Sequence, residues 1–349
     1  MSNPNRAPRV VTFGEIMLRL STPGFTRFLQ TQSYDATFGG GEANVAAALA
    51  QLGLDARFVT KLPEHEIGQA AVNHLRRYGV DTAHIVRGGE RVGVYFLETG
   101  ASQRASKVVY DRAHAAVAGL EAGELDPAAV FEGANWFHWT GITPALGPAP
   151  QRTLAVLVDA AKAAGCTISC DLNFRKKLWT TEQAQACMTP LMERVDVCIA
   201  NEEDAEKSLG IHAPESDVTA GELNEAGYAE LAKTLKSKFG FQAVAITLRE
   251  SHSASRNGWS AMLHDDKDCV TPTRSKHYDV QLIDRVGGGD SFASGLIYGL
   301  LTKPSTRDAL EFAVAASAIK QTIPGDFNIV TAAEVDKLAA GDGSGRVER

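Results

Sequence analysis

The 349-residue chain has no excess of basic residues: Lys+Arg 35 against Asp+Glu 42 leaves a formal charge of −7. Affinity for a phosphate backbone rests on clustered Lys and Arg, so nucleic acid is not the expected partner. Also missing is any apolar run of the ~20 residues that cross a bilayer, and MSNPNRAPR leads into VVTFG without the apolar stretch of a secretory signal. No membrane partner and a cytoplasmic location are therefore expected. Cysteine is scarce and odd in number, at Cys166, Cys170, Cys187, Cys198 and Cys269, which makes no disulfide framework. Cys166 and Cys170 share the strand-like CTISCDL, where ~3.3 Å per residue separates them by about 13 Å, too far to share a zinc ion. The nine histidines show neither HxxxH nor HExxH spacing, and no metal-ligand set is assigned.

What is present is an ordinary globular composition, 44% hydrophobic and 22% charged. The length suits two units of ~150 residues, or one large α/β domain with a smaller elaboration. After a strand from Arg9 to Gly14, EANVAAALAQLG places Val45, Leu49 and Leu52 on one helix face, with Gly53 at the stop. The alternation continues as strand ARFVTKL, helix IGQAAVNHLRRYG, strand NWFHWTG, helix TLAVLVDAAKAAG, strands CTISCDL and VDVCIAN, helix YAELAKTLKSKFG and strand AVAITL. Strands alternating with amphipathic helices predict crossover units, hence a mostly parallel sheet covered on both faces. The C-terminal third is helical, through SFASGLIYGLL and TRDALEFAVAASAIKQ. His138, between Trp136 and Trp139 in NWFHWTG, reads as a core histidine.

Residues 17 to 39 and 91 to 112 break this grammar, with strand signals and no intervening helix; the second reads as a hairpin around Gly-Ala-Ser-Gln. Together they predict a small antiparallel sheet off the main one, either a lid over the strand ends or a hairpin with no moving part. The expected organisation is a core of residues 1–14, 40–90 and 113–340, a β lid of 15–39 and 91–112, and a frayed tail of 341–349.

The most informative segment is DRVGGGDSFASGLIYGL, from Asp284 to Leu300. Gly287, Gly288 and Gly289 before an amphipathic helix put bare backbone N–H groups at a helix N-terminus, a geometry that binds an anion. A carboxylate there would repel that anion, so Asp290 reads as a base facing a hydroxyl beside a phosphate. The same segment also reads as an N-cap Asp after a glycine turn. Neither GxxxxGK[ST] nor a GxGxxG after the first strand occurs, which disfavours a nucleotide-binding dehydrogenase. In FGGGEANVA, Gly40 and Asn44 could hold substrate hydroxyls, or the glycines could simply let the helix start close to the sheet.

Together, GGGEANVA at Gly39 to Ala46 and DRVGGGDSFASG at Asp284 to Gly295 resemble the two signatures of the ribokinase-like (PfkB) sugar kinases. NEEDAE at Asn201 to Glu206, DLNFR at Asp171 to Arg175 and the element order extend the resemblance over almost the whole chain. It implies a three-layer α/β/α fold, ATP and Mg²⁺, Asp290 as base toward the acceptor hydroxyl, and Gly287 to Gly289 holding the γ-phosphate. It further implies nucleotide contacts from Asn201, Asp204, Thr247 and Asn328. Two departures stand out. The usual Asn-x-x-Glu is here Asn201 with Asp204, one methylene shorter. Arg249 stands where many members carry a small residue, and reads as an adenine or phosphate contact or as a solvated charge.

Tyr95, Tyr110 and Arg112 sit on the two arms of the predicted hairpin, and counting by twos puts Tyr110 and Arg112 on one face. An arginine beside a phenol suits a carboxylate; an exposed edge-strand charge is the alternative. With GEIMLRLSTPG and TIPGDFN this arrangement resembles the 2-keto-3-deoxygluconate kinases of the family, and Arg175 would be a second sugar or anion contact. Phosphorylation of a terminal sugar-acid hydroxyl is the expected activity. Fructokinase or another ketose kinase is the rival within the family, and a non-catalytic sugar-binding regulator the rival outside it. Exposed lid edges and family habit imply a homodimer through the lid.

Overall fold

The computed structural model describes residues 6–212, 225–343 and 345. In chain order its strands are β1 (Arg9–Phe13), β2 (Met17–Ser21), β3 (Asp35–Gly39), β4 (Asp55–Leu62), β5 (Ile85–Arg87), β6 (Gly93–Glu98) and β7 (Lys107–Asp111). There follow β8 (Trp136–Thr140), β9 (Thr167–Asp171), β10 (Val197–Ala200), β11 (Ala243–Ser253), β12 (Arg256–Asp265), β13 (Thr273–Arg274) and β14 (Tyr278–Gln281). The large sheet runs β13-β12-β11-β10-β9-β8-β1-β4-β5, with β14 also paired to β12. From β5 to β11 all neighbours are parallel, and β12 to β14 add an antiparallel edge.

Strand alternation explains why both faces are covered. Val10 points into one apolar layer with Val45, Leu49, Phe58, Phe292 and Leu296. Its neighbour Val11 points into the opposite layer with Phe137, Leu154, Leu157 and Leu231. Truncating a side chain as enclosed as Phe137 to Ala would cost about 3–5 kcal/mol. Helices Gly288–Thr302 and Thr306–Lys320 pack so closely that a Cβ on Gly299 would lie 2.6 Å from Ala309 Cα. The three-layer α/β/α expectation therefore holds, as does the core role of His138. Its Nδ1 sits 2.8 Å from Ser169 Oγ, and burial lowers its pKa to about 3, so the ring is neutral.

The second sheet, β3-β2-β6-β7, takes all its strands from the two segments that broke the strand–helix alternation. Its outer pairs are antiparallel, while the inner strands β2 and β6 run parallel. The hairpin tip closes where Ala101 and Arg104 exchange backbone hydrogen bonds. Between β9 and β10 lies a helix, Thr181–Met192, that the pattern reading passed over. Part of the tail expected to fray, residues 344 and 346–349, lies outside the described residues.

Candidate active site

The parallel strands and the small sheet enclose a cleft of about 660 Å³. Gly40, Asn44, Tyr95, Tyr110, Arg112, Arg175, Asn201, Asp204, Thr247, Arg249, Gly287, Gly288, Gly289 and Asp290 all line it. These residues come from distant parts of the chain, because crossover units bring the C-terminal ends of the strands to one edge.

Asp290 stands in the first turn of helix Gly288–Thr302. Gly287 precedes it with φ +81°, in the left-handed region, and a Cβ there would lie 2.2 Å from Asp326 O. Glycine is thus required both by conformation and by space. No heavy atom would crowd a Cβ at Gly289, which leaves that part of the turn open. Asn44 Nδ2 donates to Asp290 Oδ2 at 2.6 Å, while Asn44 Oδ1 accepts from Gly40 N–H at 3.1 Å. The two glycine segments therefore meet through one amide side chain. Burial raises Asp290 to a pKa of about 6; the Asn44 hydrogen bond opposes this, and the Asp326 and Glu42 charges add to it. A carboxylate ionised near neutrality yet more basic than usual suits a general base.

Around this centre the cleft has two electrostatic halves. On one side Arg249 and Arg285 line the wall beside the glycine turn, and burial with the Arg249 charge lowers the Arg285 pKa. Two like charges beside a helix N-terminus favour an anion that relieves both. The other side gathers carboxylates. Asp171 is pushed well above the carboxylate range by burial, Asp204 and Asp290, and burial pushes Asp204 to about 6. Asn201 Oδ1 accepts from Asp204 N–H, capping helix Glu202–Leu209, and Asp204 Oδ1 accepts from Phe174 N–H. Arg175 is exposed at the rim and donates to Phe174 O.

At the small sheet, the Arg112 guanidinium lies over the Tyr110 ring at 4.4 Å, and the Tyr95 and Tyr110 rings are 5.8 Å apart. The same-face expectation for Tyr110 and Arg112 holds. Arg112 is no solvated edge charge: it is largely buried and lies 3.3 Å from the more deeply buried Glu15. Its Nε and Nη1 have no hydrogen-bond acceptor among the described residues.

One expectation needs correction. Asn328 does not reach the cleft. It is buried behind helix Gly288–Thr302, where Nδ2 donates to Ser291 Oγ and Ala316 O, so it ties the following segment to the helices. Tyr95 lines the cleft with its ring, but its hydroxyl donates to Asp326, which also takes an ion pair from Arg19. Sequence reading missed Arg285, Asp171, Asp326 and Glu15, although each stands inside a quoted motif. The available signal was a charged residue inside a recognisable motif, and only the fold shows which such charges face inward.

Comparison with known proteins agrees with this geometry. Residues 7–329 match the pfkB family carbohydrate kinases. A solved structure of a 2-dehydro-3-deoxygluconokinase from Thermotoga maritima is 52% identical, with TM-score 0.92, over 96% of this chain and 99% of that one. A 2-dehydro-3-deoxygalactonokinase from Haloferax volcanii is 32% identical over 96% of this chain and 98% of its own length. A 2-dehydro-3-deoxygluconokinase from Bacillus subtilis is 27% identical over 91% of each. With the family matched over most of its length, a carboxylate at the head of a helix and a left-handed glycine turn beside it, the chain belongs to the pfkB family of carbohydrate kinases.

Proposed function

We propose that the protein transfers the γ-phosphoryl group of ATP to the terminal hydroxyl of 2-keto-3-deoxygluconate, giving 2-keto-3-deoxy-6-phosphogluconate. The observation that carries the substrate choice is Arg112, which lines the cleft over the Tyr110 ring and suits a carboxylate that a neutral hexose lacks. The names of the Thermotoga and Bacillus relatives support the same choice.

The sugar acid lies between Arg112 with Tyr110 and the Asn44–Asp290 pair. Its terminal hydroxyl gives its proton to Asp290 as the oxygen attacks the γ-phosphorus, the bond to the β–γ bridging oxygen breaks and ADP leaves, while the backbone N–H groups of Gly287–Gly289 stabilise the transferring group. Arg249 and Arg285 neutralise the remaining phosphates. Asp171 and Asp204 are hard oxygen donors facing this cleft, a set that fits Mg²⁺, and Asn201 orients Asp204. A bound Mg²⁺ would screen the triphosphate charge. Exposed Val109, Tyr110, Phe25 and Leu29 on the small sheet and its loops support a homodimer through that sheet, checked by sedimentation at working concentration.

The test is ATP consumption on 2-keto-3-deoxygluconate, its C4 epimer 2-keto-3-deoxygalactonate, fructose and ribose. Preference for a keto-deoxy sugar acid is expected, and the name of the Haloferax relative makes the epimer the informative comparison. Preference for fructose or ribose would overturn the Arg112 argument. Sugar binding without any ATP-dependent product would favour a regulator.

A further inference from the structure

Beneath the glycine turn lies a lysine that phosphoryl transfer, as described above, does not use. Lys320, the last residue of helix Thr306–Lys320, has no solvent exposure. Its Nζ donates to Asp284 O at 3.3 Å and Ile323 O at 3.2 Å. Those carbonyls belong to the two chain segments flanking the turn: Asp284 leads into Arg285–Gly289, and Ile323 into Gly325 and Asp326. The contacts around it are tight. A Cβ on Gly287 would lie 3.3 Å from Lys320 Cε, and Ser317, one helical turn before Lys320, donates to Gly288 O at 2.7 Å.

The surroundings are charged and nearly closed to water. Arg19 pairs with the Asp284 and Asp326 carboxylates, with side-chain exposures of 9% or less throughout. Asp284 Oδ2 also accepts from Gly325 N–H, and Oδ1 from Val286 N–H. Arg19 and Lys320 against Asp284 and Asp326 make a neutral quartet. Burial lowers the Lys320 pKa, while Asp284, Asp326 and Asp290 favour its charged form and Arg19 opposes it. Without the ammonium the quartet would carry a net negative charge directly under the place where an anion must be held. A buried lysine is costly unless its charge and donors are used, and here both point at one loop.

We propose that Lys320 is a positioning residue for the phosphoryl transfer. Held by the Asp284 and Ile323 carbonyls, its ammonium fixes the Gly287–Gly289 turn and places a positive charge beneath the transferring group. The role acts through the turn, since Lys320 does not line the cleft. It rests on the kinase reading above and deepens it.

The test compares full-length wild type with K320M, K320Q and K320A, using ATP and whichever sugar the panel selects, with folding followed by circular dichroism. For K320M, kcat should fall about tenfold to a hundredfold, as when charge stabilisation of a transition state is weakened, while the sugar KM stays within about threefold. K320Q, which keeps a donor without the charge, should fall between, and carries the test should K320M not fold. Ammonium ions should restore turnover of K320A saturably, by about fivefold or more, and leave wild type unchanged; a merely structural lysine would show no such rescue. A folded K320M with wild-type kcat, or ammonium acting equally on wild type and variant, would overturn the assignment. Failure of all three variants to fold would also overturn it, by assigning Lys320 to the fold alone. A wild type with no ATP-dependent product on any sugar would sink the kinase reading itself, a failure distinct from an active wild type matched by K320M.

Discussion

Removing the Asn44 amide tests how the site sets the basicity of Asp290. In Asn44→Ala, Asp290 Oδ2 loses its 2.6 Å donor, the one hydrogen bond that opposes burial in fixing its pKa at about 6. A hydrogen bond to a charged acceptor contributes about 1.5–3 kcal/mol. At ~1.4 kcal/mol per pH unit, and with water able to enter the cleft in place of the amide, the proton should bind about one unit more tightly. The sign follows from the role. The base works deprotonated, so kcat/KM falls as pH drops through this pKa, and the acid limb should move from about 6 toward about 7. At pH 6 half of the wild-type Asp290 would be ionised against roughly a tenth in the variant, an extra loss of about fivefold that vanishes above pH 8. The assay is a pH profile of kcat/KM for both proteins from pH 5 to 9. An acid limb at the same pH in both, or an equal loss at every pH, would refute the link between Asn44 and Asp290 basicity.

Two further outcomes follow from the same geometry. Arg112→Met should raise KM for a sugar acid about tenfold to a hundredfold, the worth of a charge-assisted pair, and leave slow turnover of a neutral sugar unchanged; equal losses on both would argue for a packing role. Asp290→Asn should make the protein more stable above pH 6, because the folded-state pKa of about 6 lies above the ordinary carboxylate value. Such a group costs stability as pH rises from its unfolded pKa, ~3.9, to its folded one, so the gain in Tm should be absent at pH 4 and full by pH 7. At full size about two pKa units at ~1.4 kcal/mol each give about 3 kcal/mol by linkage, and a variant less stable than wild type at pH 7 would contradict it.

Much of this architecture was legible because the chain repeats one device. Val45, Leu49 and Leu52 mark a helix, a glycine stops it, and a strand-like run follows; such local periodicity survives folding. Helix Thr181–Met192 was missed for the opposite reason: Pro190 near its end and scattered polar residues blur the apolar face. The antiparallel edge β12–β14 went unread because its pairing is decided by long-range register. At the site, Asp290 and the glycines were legible because their spacing is itself the chemistry. Asn328 was misplaced because a resemblance in sequence says nothing about which side of a helix a side chain meets. Lys320 and Arg19 could not be seen at all, since a charged residue in a helix or strand reads as solvated until its partners are known.

The central claim is that Asp290 takes the proton of the acceptor hydroxyl beside the glycine cradle. Its most direct test is Asp290→Asn, read by turnover and by calorimetric binding of the sugar. Loss of kcat by about 10²–10⁴-fold with sugar affinity largely kept is the predicted result. Turnover near wild type would contradict the account.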